Sequence, residues 1–370
     1  MQDSVLLVGC GAWRSVFELR SEWLRGPLED GTVRMYSPSS TKVARAIKSL
    51  GAEISSICHS KPGGRQLAQS YFASGTKIFG FPQACNKMIL IAQDASVSFA
   101  LGEDDEDVLN EVDLSHDGKY LAFSTDNGTV GVVELSTGYV TRMRTRHTNI
   151  CGSVRFIPDR PNELVSGGYD CKLLHHDFQQ RTLLSEFDLS VFVSSPHAEA
   201  CLNCLSPPFV LSAAIASTGL FAATTASGLA FVGAGGEKLP LGHGKKKRRR
   251  RWEGLNESEG QLIKVAEGPV VAVAFRDPRQ AVTCTLLGEL KLFTVDHDDP
   301  ESDPGLSCRE RWTSHTQNIA KVNAMVITGD RMCVGGLTGG GKGVVEVWDV
   351  STEVISRTTA SEASGVSEGG

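Results

Sequence analysis

From Gly336 the chain runs G-L-T-G-G-G-K, the glycine-and-lysine frame of a loop that cradles phosphate. Such a loop surrounds phosphates with backbone N–H groups, reaches them with its lysine, and holds magnesium through a following Ser or Thr at a helix start. Here Gly343 follows Lys342, and Val344-Val345-Glu346-Val347-Trp348 alternates as a strand does. The glycines are expected to form a long turn between two strands, with no nucleotide bound. "HAEACLNC" sets His197 near Cys201 and Cys204, but structural zinc needs a second ligand pair and no second C-x-x-C exists. The H-x-E at His197 also belongs to a zinc deaminase signature, whose P-C-x-x-C should lie well downstream on another helix. "VLLVGCGAWR" has Arg14 at the third glycine position of a dinucleotide fingerprint, and no βαβ alternation follows. No catalytic residue, cofactor, metal or small-molecule substrate is expected, and the thiols read as buried apolar side chains.

Composition limits what could position such residues. Hydrophobic residues make up 41 % of the 370 and charged ones 22 %, enough for a sizeable core. The 39 glycines are spread along the chain, which suggests many tight turns between short strands. Net charge is −6, yet seven of the 37 cationic residues form one run, Lys245 to Arg251. Without it the balance is 30 cationic against 43 acidic, a net of −13, so the body of the protein repels phosphate backbones. Ten irregularly spaced cysteines and the lack of a secretory leader pattern fit free thiols in a reducing compartment, nuclear or cytoplasmic. Residues 200–236 carry no charge, but Ser212, Ser217, Thr218, Thr224, Thr225 and Ser227 interrupt the apolar run. They read as the strands of a fully buried blade, and no membrane span is expected.

One pattern recurs: an apolar strand, a turn with Gly, Asn or Asp, then an alternating strand closed by a bulky residue. "DLSHDGKYLAFSTDNGTVGVVEL" (113–135) and "RFIPDRPNELVSGGYDCKLLHHDF" (155–178) show it best. Weaker copies begin at residues 28, 66, 215 and 270. The closing position falls at Tyr36, Phe81, Val133, His176, Gly233, Phe293 and Trp348, at intervals of 43 to 60 residues. Each unit is too thin to bury both faces alone, so neighbours must stack radially, and seven close a ring. The fold expected is all-β: a single seven-bladed β-propeller over residues 1–356 with degenerate blades. A helical insertion is expected at 13–25, where Trp13, Val16, Phe17, Trp23 and Leu24 share one face. A disordered basic loop is expected at 237–261, and a disordered tail at 357–370. "TEVISR" (352–357) is expected to supply the last strand of blade seven. Val5–Val8 reads as the second strand of blade one, so that blade is expected to be incomplete, or the sequence to lack a native N-terminus.

The repeats resemble the WD-repeat family. That resemblance implies a hydrogen-bonded tetrad: His before the first strand, Ser or Thr on the second, Asp in the next turn, Trp on the third. Blade four has His147, Ser166 and Asp170, with His176 in the tryptophan place. Blade seven has His315 and Trp348, with Lys342 near the aspartate place. Within the family, "RHTNICGSVRFIPDRPNELVSGGYD" (146–170) most resembles the WD repeat-containing protein 53 family, and with blade three the signature covers about a fifth of the chain. This implies a substrate receptor of a cullin-RING ubiquitin ligase, which docks its adaptor through a W-D-x-R motif. Here Ser351 follows Trp348-Asp349-Val350, and Phe81-Pro82-Gln83 and His176-Asp177-Phe178 also lack the arginine.

The function expected is a non-enzymatic scaffold for protein partners, monomeric within a complex, since propeller loops stand on a rigid frame. Its candidate partner surface is Arg146, His147, Asn149, His315 and Asn318, with Trp13 and Trp23. The alternative is a nuclear RNA-associated or ribosome-assembly factor. It would use Lys245, Lys246, Lys247, Arg248, Arg249, Arg250 and Arg251 for import or for contact with an anionic partner. The acidic run Glu103 to Asp107 reads as a solvated connection between blades two and three.

Overall fold

The computed structural model describes residues 7–8, 24–27, 31–36, 43–60, 68–193, 206–235, 251–297, 306–352 and 355–357. Seven small antiparallel sheets follow one another around a ring. Blades two to four are built from Ile54–His59, Gln69–Ser74, Lys77–Pro82 and Val97–Ala100; Leu109–Leu114, Tyr120–Thr125, Val130–Glu134 and Val140–Arg142; and Cys151–Phe156, Glu163–Gly168, Lys172–Asp177 and Thr182–Asp188. Blades five to seven are Val210–Ile215, Phe221–Thr225, Leu229–Gly233 and Gly260–Lys264; Val270–Asp277, Gln280–Thr285, Glu289–His297 and Leu306–His315; and Lys321–Thr328, Arg331–Leu337, Gly343–Asp349 and Ser356–Arg357. All seven closing residues read from the sequence lie on third strands. The glycines before Lys342 do form a turn between two strands, and "TEVISR" does end in the last strand, Ser356–Arg357.

Blade one departs from expectation. Leu7–Val8 is a two-residue strand that pairs parallel with Leu24–Pro27 and antiparallel with Val33–Tyr36. The second strand is therefore Leu24–Pro27, which forms a hairpin with Val33–Tyr36, and Leu24 and Arg25 belong to it and not to a helix. Its neighbours in the expected insertion, Trp13 and Trp23 included, lie outside the described residues. Val43–Lys48 is the fourth strand, and Ile89–Ile91 adds a fifth in parallel from the second repeat.

Side chains are buried between blades, as thin modules require. Phe72, Phe79 and Phe81 pack with Ile47, Ile54 and Leu90 between blades one and two. Val165, Leu173, Phe221 and Phe231 do the same between four and five. The uncharged stretch is part of that packing: Phe221–Thr225 and Leu229–Gly233 are buried at every position. Among the described residues no helix is long and apolar enough to cross a membrane.

Two repeated devices join the blades. The inner strands of blades two to seven each carry a register shift at the same place, between Ile54 and Ser56, Leu109 and Glu111, Cys151 and Ser153, Val210 and Ser212, Val270 and Ala272, and Val322 and Ala324. A bulge bends a strand and re-aims the side chain after it. That side chain then caps an N–H on the inner strand of the next blade, where the sheet offers no partner. Ser56 Oγ accepts from Val112 N–H at 3.0 Å, Glu111 Oε2 from Val154 at 2.9 Å, Ser153 Oγ from Ala213 at 3.2 Å, and Ser212 Oγ from Val273 at 3.4 Å. Blade six has Ala272 at this position, so the belt stops there. Ala272→Ser is expected to extend it to Met325 N–H and stabilise the protein by about 0.5–1.5 kcal/mol. Urea denaturation decides the sign, because a buried hydroxyl that found no partner would instead cost about 1–3 kcal/mol.

Candidate interaction surface

Blade four holds a buried polar chain. His147 Nε2 lies 2.9 Å from Ser166 Oγ, and Nδ1 lies 2.8 Å from Asp170 Oδ1. Asp170 Oδ2 accepts from Thr148 N–H at 3.0 Å, so the turn after the second strand grips the loop that enters the blade. Burial opposes a charge on His147, yet the Cys151 sulfur and the Asp170 carboxylate outweigh it and raise its pKa to about 10. The charged ring donates at both nitrogens. His176 stands where an indole would extend the chain, but neither of its nitrogens has a hydrogen-bond partner among the described residues. Burial, and then the charges of His147 and His175, lower its pKa to about 3, so it is neutral.

Blade seven is built differently. His315 ends the outer strand of blade six, exposed, with its Nδ1–H donating to Thr316 O at 2.9 Å. Trp348 is buried and packs edge-on against Trp312 at 6.0 Å, but its Nε1–H has no acceptor among the described residues. These two residues form no polar chain. Glu346 takes over: it is 4 % exposed and accepts from Gln317 N–H at 2.8 Å and Asn318 N–H at 2.6 Å. Blade three also anchors its entry loop with a carboxylate. Asp107 is 1 % exposed and accepts from Glu103 N–H and Asn127 N–H, both at 2.9 Å. The acidic run is thus a folded turn. Asp104 Oδ1 accepts from the amides of Glu106 and Asp107, and Thr129 Oγ1 donates to Glu103. Sequence reasoning missed Asp107 and Glu346; a single acid inside the apolar alternation V-V-E-V-W was the signal for the second.

In such a meander the entry loops and the turns between strands two and three share one face of the disc. Arg146, Asn149 and Asn318 are exposed on entry loops of that face, and His315 is exposed at the strand end that leads into one. Arg146 pairs with Glu103 at 3.3 Å, and Asn149 Oδ1 caps Ile150 N–H at 2.8 Å. His147 is a correction: at 1 % exposure it holds the loop and cannot touch a partner. Lys245 to Arg250 lie outside the described residues. Arg251 is exposed and donates to Leu184 O at 3.0 Å. Its neighbour Trp252, placed in the expected 237–261 loop, is instead buried between blades four and five. Its Nε1–H donates to Gly219 O at 2.8 Å, and its ring meets His175 at 4.7 Å and Phe221 at 6.1 Å. Glu253 N–H donates to Gly235 O at 2.9 Å, and Gly260–Lys264 is a strand, so residues 251–261 belong to the ring.

The channel holds a cavity of about 790 Å³ lined by inner strands of blades two to seven. Tyr169 and Phe209, stacked at 5.6 Å, stand at its mouth on the entry-loop face. A groove of about 440 Å³ opens at the other mouth, between Asp113–Asp117 and Arg155–Pro161. No group of His, Cys, Asp and Glu among the described residues could hold a metal.

No protein-family model matches the chain. Among solved structures it resembles the computationally designed Ika8 protein at 14 % identity and a TM-score of 0.59, over 96 % of this chain and 89 % of that one. It also resembles a chain in the crystal structure of the mitotic checkpoint complex at 12 % identity and a TM-score of 0.55, over 79 % of this chain and 74 % of that one. At these identities the likeness carries the fold alone. With its seven sheets in sequence order, the protein is a seven-bladed β-propeller.

Proposed function

We propose that the protein is a non-enzymatic scaffold that holds a protein partner on its entry-loop face. The observation that carries this reading is the pairing of exposed polar side chains with buried anchors under the same loops. Asp170 fixes the backbone beside Arg146 and Asn149, and Glu346 fixes the backbone of Asn318. Side chains on a fixed backbone lose less entropy on binding, which favours affinity. The structural neighbour from the mitotic checkpoint complex is itself part of an assembly, in keeping with such a role.

The finer reading, that the partner includes a cullin-RING ligase adaptor, rests on the resemblance to the WD repeat-containing protein 53 family. Asp349, in the W-D motif, has its carboxylate capped by Ser351, with Arg331 and Arg276 nearby. Affinity capture with mass spectrometry tests both levels. The quadruple variant Arg146→Glu, Asn149→Ala, His315→Ala, Asn318→Ala is expected to lose partners that the wild type retains, by about tenfold or more in recovery. Unchanged capture by a folded variant would overturn the proposed face. If no adaptor subunits are recovered with the wild type, the ligase reading fails alone. The rival nuclear RNA reading draws on Arg251, exposed beside the buried Trp252. Deleting 245–251 would abolish RNA crosslinking on that view and leave it unchanged on ours.

A further inference from the structure

The two cavities of the ring meet at four residues that line both: Asp113, Leu114, Arg155 and Ile215. Charge is unevenly matched there. Glu111 Oε1 accepts from Arg155 Nη2 at 2.6 Å, while its Oε2 accepts from Ser153 Oγ at 2.6 Å and Val154 N–H at 2.9 Å. Glu111 therefore takes up the guanidinium and spends both oxygens. Asp113 Oδ2 accepts from Phe156 N–H at 2.7 Å and the carboxylate also receives Leu114 N–H, both backbone groups, so one cation serves two carboxylates. Lys321, the other cation lining the channel, opens its strand at the far mouth, whereas Asp113 is next to last in Leu109–Leu114; the groove adds Arg160, which its Asp117 and Asp159 outnumber. Burial pushes the Asp113 pKa up, and Arg155 only partly opposes it. A carboxylate in that state gains most from a counter-ion brought in from outside.

We infer that this throat is a receptor for one cationic side chain, lysine or arginine, carried by an extended segment of a protein partner. The groove leading to it has an apolar floor of Phe156, Ile157, Pro158 and Pro161, suited to an aliphatic stem and the flanking backbone. An anion would meet two carboxylates, and among the described residues no group of His, Cys, Asp and Glu there could hold a metal. The site opens on the face opposite the entry loops, so it stands or falls separately from the proposed function.

The test titrates the full chain with fluorescein-labelled, end-blocked hexapeptides of alanine and leucine that carry one arginine, one lysine or one norleucine. The cationic peptides are expected to bind at least about tenfold more tightly than the norleucine peptide. Asp113→Asn keeps an acceptor for Phe156 N–H and should remove that preference, whereas Glu103→Gln on the other face should leave it intact. Equal binding of all three peptides to the wild type would overturn the inference, and this comparison needs no variant to fold. So would a preference that survives in a folded Asp113→Asn protein. Binding that appears only after deletion of 245–250 would assign the throat to the chain's own basic run and sink the partner.

Discussion

Gly228→Ala is expected to destabilise the protein by about 2–5 kcal/mol. Gly228 turns Phe221–Thr225 into Leu229–Gly233 with φ at +83°, and a Cβ there would come within 1.9 Å of Ala266 O. The carbonyl cannot withdraw, because Val265 and Ala266 both donate their N–H groups to Gly228 O, at 2.9 and 3.1 Å. The turn of blade five thus grips the loop that enters blade six. Blades three and six repeat the device, with Gly128 against His147 O and Gly288 against Thr316. Gly118 provides the control: its φ is +70°, yet nothing lies within 4 Å of its would-be Cβ. Gly118→Ala should cost only the left-handed strain, about 1–2 kcal/mol. Urea denaturation of both variants measures the difference. Equal losses would mean that the turn and entry loop do not bear on one another.

Stability is expected to peak near pH 6.5 and to fall on both sides by about 1.4 kcal/mol per pH unit, through His147 and His176. Unfolded histidine titrates near 6.5. His176 is lowered to about 3 in the fold, so as pH drops below 6.5 the unfolded chain takes a proton that the native state refuses. His147 is raised to about 10, so its stabilisation is complete below 6.5 and drains away as pH rises toward 10. Asp170 is lowered despite its partial burial, by its bond to His147, and adds to the acid loss only as pH nears the carboxylate range. Chemical denaturation between about pH 4.5 and 8.5 reads the histidines together with Asp113, whose raised pKa opposes the acid limb, so each limb is assigned by its variant. His176→Phe should flatten the acid limb and leave the alkaline limb standing. An acid limb unchanged in that variant would show that another group sets it.

Much of the ring could be read in the sequence, because each blade repeats the same hydrophobic alternation. A third strand packs a bulky residue between blades, and that need recurs at Phe81, His176, Phe293 and Trp348 alike. Irregular parts were harder. Leu24 and Arg25 read as the end of a helix because Trp23 and Leu24 continue a 3.6-residue apolar stripe, yet they open the strand Leu24–Pro27. Trp252 was lost in a loop because it follows seven cations, although a tryptophan at the end of a charged run is itself a sign of an anchor.

What the chain alone determined is the all-β class, the number of repeats and the turn character of the glycines before Lys342, since these follow from local periodicity and backbone freedom. The resemblance pointed to His147, Ser166 and Asp170, but tertiary structure alone decided the other polar residues that hold the loops and join the blades. Glu346 reaches back to Gln317, and Ser56 caps Val112 across a blade boundary. Partners so distant are brought together by ring closure and by a bulge that re-aims each side chain, and neither leaves a mark in any short window of sequence.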